Sequence, residues 1–245
     1  MKIDSLPESL RRIAAEFSPA ALASSLSAED MVLTDAIARA GVPIDIFVLD
    51  TDRLHADTLA LIQQIRNHYG MNVQVYKPDP AAVHEYVRLH GRDAFYGGVE
   101  LRKRCCEIRK VEPLRRALAG KRAWITGQRR EHSAGRARLD ERELDAIHGI
   151  DKFNPLAAWR DAEVWHYLGE HGVPYNRLYD QGYRSIGCAP CTRPVQPGED
   201  IRAGRWWWES PETKECGLHV APDGRLVRAK ENGDRPHFSQ LEVAP

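Results

Sequence analysis

Short apolar runs, separated by longer amphipathic segments, dominate the pattern of hydrophobic and polar positions along the chain. Short apolar runs that are bounded by turn-forming residues are typical of buried strands. The pattern predicts strands at residues 21–26, 45–49, 73–76 and 123–126, and a fifth at residues 144–148. Because helix-like segments separate these strands, the expected arrangement is a parallel sheet.

Apolar positions three and four residues apart predict the helices between these strands. The first helix would place Leu10, Ile13, Ala14 and Phe17 on one face. Further helices are expected at residues 28–40, 55–69 and 80–90, around Cys105, Cys106 and Lys110, and from a cap at Asp161 onward. The alternation indicates an α/β fold, a parallel sheet with helices on both faces.

The periodic pattern ends near Thr192, and proline and glycine recur after it. We therefore expect one α/β domain over residues 1–191 and an irregular C-terminal tail over residues 192–245. Ligands of such sheets bind beyond the carboxyl ends of the strands. Three segments are expected at that edge, at residues 24–30, 49–53 and 127–136.

Composition and charge exclude several classes of function. The chain has 245 residues, with 35 Lys and Arg against 35 Asp and Glu, so no global field directs it to nucleic acid or to an anionic membrane. No apolar run approaches the roughly 18 residues of a membrane span. The N-terminus lacks the apolar core of a signal peptide, and we expect a cytoplasmic location with reduced thiols.

The five cysteines form the most informative pattern in the chain. Cys105 and Cys106 are adjacent, Cys188 and Cys191 form a Cys-x-x-Cys pair, and Cys216 stands alone. Two distant pairs suit one site with four thiolate ligands. Adjacent cysteines are awkward for one small tetrahedral ion, which favours a four-iron four-sulfur cluster. A zinc site and thiols that bind no metal remain as alternatives.

Lys110 and Cys216 are candidates for chemistry beside this metal site. Lys110 lies four residues after Cys106 and, with neighbouring basic residues, would offset the charge of an anionic cluster. A solvated basic helix face is the alternative. Cys216 is left over once four cysteines bind metal, which makes it a candidate nucleophile or else a structural cysteine.

Three further segments allow two interpretations each. Residues 24–30 join a strand to a helix, and their hydroxyl and N–H groups suit either a phosphate or an ordinary helix cap, of which we favour the cap. The arginines after Gly127 would bind an anion or form a solvated loop. Of the tryptophans at residues 206–208, some are expected to pack the tail onto the domain.

Several motifs together resemble the assimilatory adenylyl-sulfate (APS) reductases, relatives of the phosphoadenylyl-sulfate (PAPS) reductases. They span most of residues 24–219. The most specific are Ser-Ile-Gly-Cys-Ala-Pro-Cys-Thr-Arg-Pro at residues 185–194, Gly-Arg-Trp-Trp-Trp-Glu at residues 204–209 and Lys-Glu-Cys-Gly-Leu-His at residues 214–219. The four paired cysteines resemble the branch that uses APS, because typical PAPS reductases lack them.

The resemblance implies an adenine-nucleotide α-hydrolase-like fold, a [4Fe-4S] cluster in the nucleotide-binding domain and reduction of APS to sulfite and AMP. The Cys216 thiolate would attack the sulfur of APS, and thioredoxin or glutaredoxin would release sulfite from the S-sulfocysteine. The implied cluster ligands are Cys105, Cys106, Cys188 and Cys191. Lys110 and His219 would act beside Cys216, and the implied substrate contacts are Ser25, Leu49, Gly127, Arg136, Arg202 and Arg205.

Two positions depart from the family pattern or need a choice. Asp52 stands where the family usually has glycine, which is expected to alter the nucleotide pocket. We assign the family arginine of the loop after Gly127 to Arg136 rather than Arg138. A homo-oligomer is expected, with no nucleic-acid or membrane partner. The alternative functions are PAPS reduction, an ATP-pyrophosphatase-type sulfur transferase and a zinc-stabilised binding module.

Overall fold

A computed structural model describes residues 2–132 and 136–210 of the chain. Within these residues six strands form one sheet, and they are β1 Ala20–Ser24, β2 Ile44–Leu49, β3 Val73–Tyr76, β4 Ala123–Ile125, β5 Arg142–Asp145 and β6 Ile150–Phe153. Their order across the sheet is β3-β2-β1-β4-β6-β5. All neighbouring pairs are parallel except β5 and β6, which are antiparallel. The predicted parallel sheet is therefore confirmed for five strands.

The helices begin and end at the residues that local chemistry favours. They are α1 Lys2–Glu16, α2 Ala28–Ala40, α3 Ala56–Tyr69, α4 Pro80–His90, α5 Val99–Cys106, α6 Glu112–Leu118 and α7 Asp161–Glu170. Gly41 ends α2 at φ 61°, a left-handed conformation that glycine adopts without strain. None of the described helices is long and apolar enough to cross a bilayer.

Helices cover both faces of the sheet, as the sequence predicts. Leu22 and Ile46 point to a large apolar core that is shared with α1, α2, α3 and α7. Their strand neighbours Ala21 and Phe47 point to the other face, where they pack with Trp124 against α6. Successive strand residues face opposite sides, so the sheet is buried on both.

The predicted fifth strand at residues 144–148 is wrong in its bounds, and β6 was not predicted at all. β5 ends at Asp145, and a turn leads into β6, which pairs with the parallel strand β4. Three of the four residues of β5 and two of the four residues of β6 are charged, so neither strand contains an apolar run. The hairpin is stabilised instead by tertiary pairing, with Leu144 opposite Asp151.

Two helix predictions need correction. The single helix expected to carry Cys105, Cys106 and Lys110 is α5 followed by a π-helical turn, Glu107–Val111, that carries Lys110. The prediction that Cys106 and Lys110 share one face of an α-helix, which rested on their four-residue spacing, therefore does not apply. In α7 the N-cap residue is Arg160, and Asp161 is the first helical residue rather than the cap.

The segment after Thr192 lacks regular helices and strands up to residue 210, yet it packs onto the domain. Thr192 and Arg205 form an isolated antiparallel bridge. Trp206 is only 1% exposed, whereas Trp207 is 39% exposed, so the tryptophans divide between core and surface as expected. This segment therefore completes one wall of the cleft described below.

Candidate active site

One large cleft lies beyond the carboxyl ends of β1, β2 and β4, with a volume of about 580 Å³. Every predicted contact residue within the described ranges lines it, namely Ser25, Leu49, Lys110, Gly127, Arg136, Arg202 and Arg205. These residues come from five separate segments of the chain. The fold therefore brings the seven together at the edge of the sheet where ligands of such folds bind.

Two predicted catalytic residues, Cys216 and His219, lie outside the described residues. The described chain ends at Ser210, directly after the segment that carries Arg202 and Arg205 along the cleft. Arg136 and Arg138, the two candidates for the family arginine, both lie within the described residues. Arg136 lines the cleft, whereas Arg138 is exposed and does not line it.

The turn after β1 is organised by its own side chains. Ser25 donates from both its backbone N–H and its hydroxyl to Oδ2 of Asp30, at 2.6 and 2.7 Å. The hydroxyl of Ser27 accepts from the N–H of Asp30 at 3.4 Å, and the N–H of Ala28 donates to the Tyr179 hydroxyl. The hydrogen bonds expected of a helix cap are therefore present in this turn, and Ser25 also lines the cleft.

A group of charges centred on the buried Arg129 and Glu29 lies on the side of the cleft next to β4, and its other two carboxylates, Glu131 and Asp161, are 49% and 58% exposed. Arg129, which is 2% exposed, contacts carboxylate oxygens of Glu29, Glu131 and Asp161 at 2.9, 2.8 and 3.1 Å. Nε2 of His132 lies 2.9 Å from the same oxygen of Glu29. Arg129 is therefore neither a solvated loop arginine nor free to bind an anion, the two roles that the sequence allowed.

The pKa of Glu29 is lowered within this group. Burial on its own raises the pKa of Glu29, but the hydrogen bond from His132 and the positive charge of Arg129 outweigh burial and lower the pKa to about 2. The carboxylate is therefore charged at neutral pH. The sequence alone does not indicate the contact between Glu29 and Arg129, because the two residues are 100 positions apart in the chain.

Arg205 is held in place on the opposite side of the cleft. Its guanidinium stacks on Trp206 with Cζ 4.6 Å from the ring centroid, and its Nη1 donates to the carbonyl of Ile186 at 3.2 Å. A side-chain carbon at Gly187 would lie 2.6 Å from Cζ of Arg205. Glycine at this position therefore allows the guanidinium to lie flat against the backbone next to Cys188.

The same tryptophan is also contacted by Arg102. Cζ of Arg102 also lies 4.6 Å from the centre of the Trp206 ring, and Arg102 forms a buried ion pair with Glu209 at 2.6 Å. Trp206 lines both the cleft and a smaller cavity that contains the cysteines. The Arg102–Glu209 pair was not predicted from the sequence, although Glu209 lies in the Gly-Arg-Trp-Trp-Trp-Glu motif.

The two cysteine pairs meet in that smaller cavity. Cys105, Cys106, Cys188 and Cys191 all line it, together with four basic residues and no carboxylate, the basic residues being Arg53, Arg102, Arg109 and Lys110. The hydroxyl of Thr51 lies 3.2 Å from Sγ of Cys188. Lys110 and Cys188 also line the cleft, so the two cavities share a wall.

Cys105 and Cys191 are poor nucleophiles as free thiols. Burial raises the pKa of the Cys105 thiol, and burial raises the pKa of Cys191 to about 12.

Within the described ranges, no three His, Cys, Asp or Glu residues are grouped so as to bind one metal ion. A single tetrahedral zinc ion would need its four sulfurs about 3.8 Å apart, from Zn–S bonds of about 2.3 Å.

Asp52 adopts a left-handed backbone with φ 56°, which explains why glycine is usual at this position. Aspartate is among the few other residues that tolerate it. Its carboxylate lies 3.2 Å from Nζ of Lys77, which also contacts Asp50 at 3.1 Å. Asp52 does not line the cleft, so the expected change to the nucleotide pocket is not seen there.

Solved structures similar to this one define the class of fold. A phosphoadenylyl-sulfate (PAPS) reductase from Candida auris, in a phosphate complex, matches with a TM-score of 0.66 and 30% identity over 78% of this chain and 90% of that one. FMN adenylyltransferase from Candida glabrata matches with a TM-score of 0.55 at 14% identity, over 96% of this chain and 76% of that one. The fold is adenine-nucleotide α-hydrolase-like, as the sequence predicts.

Sequence comparison narrows this class to a family. The family model of the phosphoadenosine phosphosulfate reductase domain matches residues 19–194, and the chain belongs to that family. An adenosine 5'-phosphosulfate reductase of Burkholderia cepacia is 57% identical over 219 residues, which cover 89% of this chain and 88% of that protein. Another, from Allochromatium vinosum, is 55% identical over 86% of this chain and 83% of its own length.

Proposed function

We propose that this protein reduces APS to sulfite and AMP in sulfate assimilation and cysteine biosynthesis. The observation that carries the proposal is the single cleft lined by all seven predicted contact residues of the described chain. Relatives with more than half of their aligned residues identical are named adenosine 5'-phosphosulfate reductases, which supports the same substrate. The proposed location is the cytoplasm, where thiols stay reduced.

The proposed first step is attack by the Cys216 thiolate on the sulfur of the sulfate group. A sulfur–sulfur bond forms, the bond from that sulfur to the bridging oxygen breaks, and AMP leaves with the electron pair. Lys110, Arg202 and Arg205 would stabilise the negative charge of the phosphosulfate, and His219 would act beside the thiolate. Ser25, Leu49, Gly127 and Arg136 would hold the nucleotide.

The proposed second step needs a dithiol from another protein. If the four paired cysteines hold a metal, Cys216 has no partner thiol in its own chain. A thiolate of thioredoxin or glutaredoxin attacks the Cys216 sulfur, sulfite leaves, and the second thiol closes a disulfide that frees Cys216. The dithiol thus supplies the two electrons that turn sulfate-level sulfur into sulfite.

We also propose that Cys105, Cys106, Cys188 and Cys191 bind a [4Fe-4S] cluster. The support is the donor set, four cysteines in one cavity without a carboxylate and with basic residues that suit an anionic cluster. Such a cluster would supply electrostatic or redox chemistry next to the cleft. This chain's own contribution is Lys110, which borders both cavities and would link the cluster's surroundings to the substrate.

PAPS reduction is the alternative that a specific observation favours, because the Candida auris structure with 30% identity is a PAPS reductase. An ATP-pyrophosphatase-type sulfur transferase is less favoured, because the turn after β1 carries Ser-Leu-Ser-Ala-Glu-Asp rather than a Ser-Gly-Gly-x-Asp-Ser motif. A zinc-stabilised binding module is also less favoured, because it would not account for the cleft or for the predicted contact residues that line it.

The decisive experiment measures sulfite formation from APS with thioredoxin and compares wild type with Cys216→Ser. The variant should form no sulfite, because a hydroxyl is a far poorer nucleophile than a thiolate near neutral pH. Wild type with APS and no reductant should gain about 80 Da, the mass of SO₃, on Cys216 alone, and thioredoxin should remove it.

The variant should keep its iron content and still bind AMP, which separates loss of chemistry from loss of folding. Full sulfite formation by Cys216→Ser would refute the proposed nucleophile. An adduct on Cys105 or Cys191 instead would assign the reactive sulfur to the metal-site cysteines.

A further inference from the structure

The charges that line the cleft are distributed unevenly. On the β4 side, three carboxylates surround the one guanidinium of Arg129, which leaves a formal excess of two negative charges. Arg136 lies beside this group, with Nη1 3.4 Å from Nδ1 of His132, and counting it still leaves one excess negative charge. We call the carboxylates of Glu29, Glu131 and Asp161 the acidic wall.

Three further cations lie on the other side of the cleft. Lys110, Arg202 and Arg205 line it near Cys188, and Cys188 is tied to the end of β2 by Thr51 at 3.2 Å. β2 and β4 are separated by β1, so two strand spacings of about 4.8 Å place the two sides about 10 Å apart. That distance suits a nucleotide lying with its phosphosulfate on the β2 side and its sugar on the β4 side.

The backbone of Gly127 packs against Glu29 of the acidic wall. A side-chain carbon at Gly127 would lie 2.7 Å from Cβ of Glu29 and 2.5 Å from Oδ1 of Asp30. A ligand that contacts the backbone of Gly127 therefore lies next to the first turn of α2. Arg129 cannot turn toward such a ligand, because Glu29, Glu131, Asp161 and the carbonyl of Trp159 already accept from its guanidinium.

We propose that the acidic wall determines specificity by rejecting a second phosphate on the ribose, at the 3′ position. This inference rests on the function proposed above and adds which residues separate APS from PAPS. A 3′-phosphate would bring up to two negative charges within a Debye length, about 8 Å, of the three carboxylates of the acidic wall. The negative charges of these carboxylates outnumber the positive charges of Arg129 and Arg136. A free 3′-hydroxyl meets no such repulsion and can donate to a carboxylate.

The test compares binding of AMP and adenosine 3′,5′-bisphosphate by titration calorimetry. Wild type should bind AMP at least about tenfold more tightly, about 1.4 kcal/mol. Glu131→Gln and Asp161→Asn keep the size and an acceptor oxygen but remove one charge, so each should narrow this ratio by about three- to tenfold. Glu170→Gln on the same helix, whose carboxylate is outside the cleft, should leave the ratio unchanged.

Ionic strength gives a second readout that a purely structural role would not move. The preference for AMP should shrink between 50 and 500 mM salt in wild type and much less in the Glu131→Gln, Asp161→Asn double variant, as expected for screened charges. Equal binding of both nucleotides by a wild type that reduces APS would overturn the inference alone. An unchanged ratio in folded variants would do the same, and binding of neither nucleotide would overturn the proposed function with it.

Discussion

Gly127 and Gly169 show how one residue type has opposite consequences at two positions. Gly127 lies in the cleft, where the backbone passes so close to α2 that no side chain fits. Gly169 lies in the exposed last turn of α7, where an added carbon would meet nothing within 4 Å. The sequence offers no way to tell these two glycines apart, because the difference lies in what packs against them.

We predict that the same substitution at these two glycines changes stability with opposite sign. Gly127→Ala should lower the free energy of unfolding by about 1–3 kcal/mol, the usual cost of overpacking, and should weaken AMP binding. Gly169→Ala should raise the free energy of unfolding by about 0.5–1 kcal/mol, because alanine loses less backbone entropy than glycine when a helix forms. Urea unfolding measures the free energy of unfolding of both variants. A Gly127→Ala variant as stable as wild type would contradict the prediction and would show that the backbone at Gly127 shifts to make room for the methyl group.

At the scale of elements, the segment at residues 192–210 is attached to α5 through the buried Arg102. Arg102 of α5 donates to both oxygens of Glu209, at 2.6 and 3.0 Å, and the two side chains are 1% and 4% exposed. The ring of Trp206 contacts the guanidinium groups of both Arg102 and Arg205. The ion pair therefore positions the arginines of the cleft without lining the cleft itself.

We predict that Glu209→Ala destabilises the protein by about 3–5 kcal/mol, because it removes the carboxylate from a buried guanidinium. The variant should also raise the KM for APS, since the segment that carries Arg205 loosens. Glu85→Ala is the matched control, because it breaks a 2.7 Å pair with Arg88 on an exposed surface and should leave the Tm unchanged. Equal melting temperatures for the two variants would contradict the assigned role of Glu209.

At the scale of the whole molecule, the proposed cluster would join two parts of the chain that are far apart in sequence. Cys105 and Cys106 end α5, whereas Cys188 and Cys191 flank a single turn that is held to the domain by hydrogen bonds from Ala189 to Arg53 and from Tyr96 to Pro190. A group bound by all four would tie the sheet domain to the wall of the cleft.

We predict that protein purified without oxygen contains about four iron and four acid-labile sulfide per chain. Cys191→Ser should lose most of this iron and melt at a lower temperature, because metal binding stabilises the folded state. Cys216→Ser is the matched control and should retain the full content. One zinc per chain without sulfide would contradict the cluster, and equal iron in both variants would contradict Cys191 as a ligand.

Much of the fold and part of the site follow from the sequence because their signals are local. The strands β1 to β4 are short apolar runs with helix-like spacing between them, and the paired cysteines are recognisable from spacing alone. The order of the strands, with β4 beside β1 rather than beside β3, and the meeting of seven predicted contacts in one cleft are known only from the structure. The family motifs then indicate the class of substrate.

Only the tertiary structure decided the features that depend on distant neighbours. The charged hairpin of β5 and β6 carries no apolar period, so only its pairing with β4 identifies it as sheet. The sequence likewise presents Glu29 and Arg129 as ordinary polar residues, and only folding places them 2.9 Å apart as a buried ion pair. The free energy of a charge depends on its surroundings, which spacing along the chain does not encode.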